Sequence, residues 1–91
     1  MEFEWDASKA ENNERKHGVT FEFAVGIFED DARIERLDTD SSSVEERWAT
    51  TGLIDGMEIY VVYVVRGEAI RLISARRASR YEREEYWNRK V

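Results

Sequence analysis

The chain has no cysteine and a single histidine. Without cysteine it can form no disulfide and no thiolate metal site, and a reducing compartment such as the cytoplasm suits it. With one histidine besides, a zinc site is disfavoured. A glycine-rich phosphate loop and a nucleophile elbow are both missing. No apolar run approaches ~18 residues and no charged-then-apolar leader opens the sequence, so nothing predicts a membrane span or secretion. Asp38 to Ala49 looks briefly like a calcium loop. Its sixth position is Ser43, where glycine is needed, and its twelfth is Ala49, where a bidentate glutamate is needed.

What is present is enough for a packed fold. Ninety-one residues, 42% of them hydrophobic, predict one domain around one modest core. The net charge of −6 argues against a surface that clings everywhere to nucleic acid. The charge is unevenly spread: residues 1–65 carry a balance of −10 and residues 66–91 a balance of +4. A basic end on an acidic body suits a localised anion site, and equally a docking surface for a basic partner.

Periodicity gives the element order β-α-α-β-β-β-β-α. Phe3 and Trp5 alternate with acidic residues, a short half-buried strand over 2–5. Ser8 and Glu11 have capping-box spacing for a surface helix over Ser8 to His17, stopped by Gly18. Thr20 caps a second helix over Phe21 to Glu29, whose stripe Phe21, Ala24, Val25 and Phe28 faces a sheet. Strands are predicted over 32–37, 46–54, 57–65 and 69–75. The polar stretch 38–43 between the first two reads as a loop. Asp55-Gly56 and Arg66-Gly67-Glu68 supply the hairpin turns. Ser79 and Glu82 form a second capping box, opening a helix that runs to about Arg89. The result is an α+β domain, an antiparallel sheet with helices packed against it.

Several residue groups invite a functional reading. His17 is either a helix-end cation favoured by the macrodipole or a general acid or base. Arg76 and Arg77 end a strand just before a helix N-terminus, where fixed cations are disfavoured unless an anion is held there. Alternation along a strand sets their side chains on opposite faces, unless the strand ends between them. Arg80 and Arg83 stand among glutamates and read as a salt-bridged surface. Trp48, Tyr60, Tyr63 and Trp87 fit core packing better than base stacking. Glu46, beside Glu45 and Arg47, offers a carboxylate at a basic strand edge.

Taken together, the run Trp5-Asp6, Asn12-Asn13, Lys16-His17-Gly18-Val19, Phe21-Glu22, Ala24 and Phe28, then Glu46-Arg47-Trp48 and Gly52, then Arg71 through Ala78, Glu82-Arg83 and Tyr86, resembles the BrnT family. The likeness covers essentially the whole chain. Its densest blocks are Lys-His-Gly-Val and Ile-Ser-Ala-Arg-Arg-Ala. Where members often have Asp-Pro after the second helix, this chain has Asp30-Asp31, which implies a changed turn geometry.

The resemblance implies a toxin of a type II toxin–antitoxin pair with a RelE-like fold. It implies metal-independent RNA cleavage that halts translation, with no cofactor. It also implies a cognate BrnA-like antitoxin that binds operator DNA on the toxin's behalf. RNA cleavage needs proton transfer and stabilisation of the phosphorane charge. On that footing Arg76, Arg77 and Arg66 are expected to stabilise charge, and His17 to move the proton, with Lys16 beside it and Glu46 as a weaker candidate. Arg71, Arg80, Arg83 and Trp48 are expected to bind the RNA. The competing reading is a non-catalytic module whose acidic body docks a basic DNA-binding antitoxin and co-represses its operon.

Overall fold

The computed structural model describes residues 1–38 and 45–89. Within them the chain follows the expected order. β1 spans Glu2–Glu4 and α1 Ala7–His17. α2 spans Phe21–Ala24 and tightens into a 3₁₀ turn over Val25–Glu29. β2 is Ile34–Leu37, β3 Trp48–Ile54, β4 Met57–Arg66 and β5 Ala69–Arg77. α3 closes the chain over Arg80–Asn88. The loop expected over 38–43 lies, apart from Asp38, outside the described residues.

The five strands form one sheet in the order β1-β5-β4-β3-β2. Strands β2 to β5 are an antiparallel meander, whereas β1 joins β5 in parallel, pairing Glu2 with Ala69 and Glu4 with Arg71. The β3–β4 hairpin turns at Asp55 and Gly56, both with positive φ, as a two-residue turn of the hairpin-compatible hand requires. One irregularity interrupts the sheet. Val62 pairs with Ser74 but Tyr63 pairs with Leu72, so Ile73 is an extra residue in β5. Such a bulge reverses which face the following side chains take.

The core lies between the sheet and α2. Phe21, Ala24 and Ile27 from the helical side meet Ile59, Val61, Tyr63, Leu72 and Ala75 from β4 and β5. Trp48 and Phe28 pack at its margin, and the rings of Phe28 and Tyr63 meet edge to face at 5.1 Å. α1 is polar and buries only Asn13. On the opposite face of the sheet, α3 sits over Ala49, Thr51 and Tyr60.

Two local expectations change. α1 is capped by Asp6, whose carboxylate accepts from the Lys9 N–H at 3.0 Å. Ser8 falls inside the first turn, because an N-cap accepts from the residue three ahead and the helix begins at Ala7. At the second helix's end, Asp30 accepts from the Ala32 N–H at 2.9 Å. That side-chain turn delays β2 until Ile34. By contrast the Ser79–Glu82 capping box forms in full.

Asp30 is a joint of the fold. One of its oxygens also accepts from the Leu53 N–H at 2.8 Å and from the Tyr86 hydroxyl at 2.6 Å, tying α3 to the sheet. Burial works to raise this carboxyl, but the hydrogen bonds from Tyr86, Leu53 and Ala32 outweigh it and hold it below its ordinary value. Gly52 makes room for this joint. A Cβ there would stand 2.9 Å from Ile27 Cγ1 and 3.1 Å from Asp30 Oδ2.

Candidate functional site around His17

The site starts from the way α1 ends. Arg15, Lys16 and His17 occupy its last turn, where cations complement the helix dipole. Gly18 then takes φ 71° and donates to the Glu14 carbonyl at 2.8 Å. This left-handed step turns the chain to bury Val19 and lets Thr20 cap α2, accepting from the Phe23 N–H at 3.0 Å. His17 and Lys16 are left exposed at the turn.

Asn13 fixes this turn against the sheet. Its amide donates to the Val19 carbonyl at 2.9 Å and to the Ala75 carbonyl at 2.8 Å, and its oxygen accepts from the Ala75 N–H at 3.0 Å. β1 is three residues long and leaves β5 after Arg71, so among the described residues the edge of β5 beyond that point has no strand beside it. The Asn13 carboxamide takes a strand's place there, satisfying both main-chain groups of Ala75.

Two residues on, Arg77 shares a hollow of about 350 Å³ with His17, Gly18, Thr20, Phe23 and Met57. His17 also borders a second hollow of about 490 Å³, lined by Lys9, Asn12, Arg15, Lys16 and Ser74 among others. No carboxylate among the described residues lines either one. Among the described residues, Lys9, Lys16, His17 and Arg77 have no salt-bridge partner.

The other expected site residues lie elsewhere. Because β5 continues through both arginines, Arg76 emerges on the face opposite Arg77. It stacks over the Tyr60 ring at 4.1 Å and grips Glu82 with two hydrogen bonds of 2.9 Å each. Burial acts to raise the Glu82 carboxyl, but Arg76 and the Ser79 main chain hold it below its ordinary value. Arg76 in turn is raised, chiefly by the hydrogen bond to Glu82.

Arg66 is paired with Glu45 at 2.9 Å and Arg71 with Glu4 at 3.2 Å. Arg80 pairs with Glu84 one helical turn on, at 2.9 Å. Arg83 donates to the Ala78 carbonyl at 3.0 Å. Trp48 packs against the core and Glu46 is exposed just ahead of β3. Thus the structure sets His17 with Arg77 at one hollow and with Lys16 at the adjoining one, and does not gather Arg66, Arg76 or Glu46 with them.

Sequence reasoning assigned no role to Asn13, Lys9, Ser74 or Asp30. The available signal for Asn13 was weak: a poor helix former in mid-helix, six residues before a buried valine. Ser74 lines the hollow beside the bulge at Ile73, which no local pattern announces. Lys9 sits two turns before Lys16 and so shares its helix face.

An imidazole and a guanidinium lining one hollow, with the Lys16 ammonium on the adjoining one, can hold a phosphate and move a proton beside it. Among the described residues no three metal-ligating side chains gather, and no helix is long and apolar enough to cross a membrane. The model of a known family, the ribonuclease toxin BrnT of type II toxin–antitoxin systems, matches residues 5–82. No curated protein matches the chain.

Proposed function

The chain belongs to the family of BrnT ribonuclease toxins of type II toxin–antitoxin systems, and from that premise we propose that it is a metal-independent endoribonuclease working at the hollow between His17 and Arg77. The observation that carries this reading is their meeting there, clamped by Asn13, with no carboxylate among the described residues of the lining. In this reading Arg77 neutralises the phosphate as negative charge grows on the phosphorane. His17 exchanges the proton with the attacking 2′-hydroxyl or the leaving oxygen, and Lys16 adds positive potential from the same turn. Preorganised donors of this kind are each worth about 10²–10³ in rate.

The consequence in the cell is inhibition of translation in the cytoplasm. Membership of a type II family implies an antitoxin partner. We take that partner to be BrnA-like, carrying the operator-DNA contact itself. The experiment uses purified wild-type and His17→Ala protein on single-stranded RNA, with and without chelator. Cleavage by the wild type that survives chelation and falls at least a hundredfold in the variant supports the reading. Equal cleavage by both folded proteins would falsify it.

A further inference from the structure

The charge pattern singles out the hollow on α1. Acidic residues outnumber basic ones in this chain, 20 to 14. Among the described residues, six arginines accordingly end in salt bridges with glutamates: Arg33, Arg36, Arg66, Arg71, Arg76 and Arg80. The cations of α1 escape this pairing. The side-chain ammonium groups of Lys9 and Lys16 have no polar partner among the described residues, and the Arg15 side chain only hydrogen-bonds Asn12 at 2.7 Å. The helix dipole accounts for the basic last turn, but its influence fades within that turn and Lys9 lies in the first.

The geometry is that of a track. Lys9, Asn12, Asn13 and Lys16 are spaced i, i+3, i+4 and i+7, so they share one face of α1. That face looks onto Ser74 and onto Ile73, the extra residue at the β5 bulge. Lys9 and Lys16 are separated by about 10 Å along the helix axis. The hollow therefore offers a cation at each end, an apolar floor in Ile73, and along its walls the Asn12 amide nitrogen and the Ser74 hydroxyl, neither with a partner among the described residues. It opens directly beside His17, which also borders the hollow holding Arg77.

We propose that this α1 hollow is a second nucleotide subsite, which takes the phosphate and base next to the scissile one in a single-stranded RNA. The inference rests on the reading of the His17–Arg77 hollow as the cleavage site. The strand enters at Lys9, its phosphate held between Lys9 and Lys16, and its next phosphate reaches Arg77 past His17. A duplex is too wide and stiff for a hollow of about 490 Å³, so unpaired RNA is the ligand class.

The test is binding of a fluorescein-labelled single-stranded RNA hexamer whose 2′-hydroxyls are methylated, so that it cannot be cleaved. Affinity is measured across a salt series for wild-type, Lys9→Gln and Arg36→Gln protein, all confirmed folded by circular dichroism. Arg36 is a charge-matched control on the opposite face, engaged with Glu85. One phosphate contact contributes about 0.7 to the slope of log affinity against log salt for a single strand. The expected result is that Lys9→Gln lowers the slope by about 0.7 and Arg36→Gln leaves it as in wild type. Equal slopes in wild type and Lys9→Gln, an equal loss in Arg36→Gln, or no hexamer binding by wild type would each overturn the subsite. Because the hexamer cannot be cut, this readout is independent of cleavage. A protein that binds with the expected slopes but never cuts RNA would defeat the nuclease reading alone.

Discussion

Asn13 and Ala75 are joined by a pair of antiparallel hydrogen bonds, amide to carbonyl at 2.8 Å and N–H to side-chain oxygen at 3.0 Å. Sixty-two residues of chain separate them, and their meeting sets where His17 stands relative to Arg77. Everything proposed about this protein's chemistry passes through that contact.

Asn13→Ala is therefore expected to be costly. Each buried main-chain group left without a partner costs about 1–3 kcal/mol, and three bonds end on this side chain. The melting temperature should fall by at least about 12 °C, since each kcal/mol is worth about 4–8 °C in a domain of this size. Calorimetry checks it. Asn13→Asp should recover little, because a carboxylate cannot donate to Val19 and Ala75.

Stability should depend on acid in a defined way. Glu82 and Asp30 both titrate below their ordinary values of 4.5 and 3.8 in the folded protein. A depressed carboxyl contributes stability above its unfolded value and loses it as the pH falls through its folded one. Urea midpoints should hold down to about pH 4.5 and then decline steadily below it. Glu82→Gln should flatten part of that decline, and an unchanged profile in this variant would remove Glu82 from the explanation.

The alkaline side has a counterpart in Tyr86. Burial, then the hydrogen bond to Asp30, push its phenol from 10.0 up to about 12. A raised phenol stabilises the fold below its unfolded value, and that contribution is lost between pH 10 and 12. Tyr86→Phe should show less alkaline loss, read as the same urea midpoint measured across that range.

Gly52→Ala should destabilise without touching the His17 turn. The added methyl would press into Ile27 Cγ1 and Asp30 Oδ2, and overpacking of this kind costs about 1–3 kcal/mol. A lowered melting temperature with unchanged RNA cleavage at 20 °C is the expected pair of results.

Much of this fold was legible locally. The Ser79–Glu82 box, the Asp55-Gly56 turn and the Phe21 and Ala24 part of the second helix's stripe all depend on neighbours within a few residues, and all formed, whereas the 3₁₀ turn buries Ile27 and leaves Val25 and Phe28 half-buried. The parallel docking of β1 on β5 was not legible, because it pairs residues about 67 apart in sequence and no local pattern encodes a partner. The faces of the paired arginines were half legible. Alternation correctly set Arg76 and Arg77 apart, but counting by twos from Leu72 would aim Arg76 at the helices. The extra residue Ile73 reverses the count and gives that position to Arg77. The competition from glutamates for Arg66, Arg71 and Arg76 also depends on tertiary placement. A run of arginines in sequence therefore overstates the cations free to meet a phosphate.

The central claim is that of the two adjacent arginines only Arg77 serves the reaction. Initial rates of single-stranded RNA cleavage by Arg76→Ala and Arg77→Ala, measured side by side at 20 °C, test it most directly. The expected result is a loss of about 10²–10³ for Arg77→Ala with its melting temperature preserved. Arg76→Ala, which breaks a half-buried ion pair worth about 1 kcal/mol, should melt about 4–8 °C lower yet cut RNA at a rate near wild type. The opposite ranking, with Arg76→Ala inactive and Arg77→Ala fully active, would contradict the account.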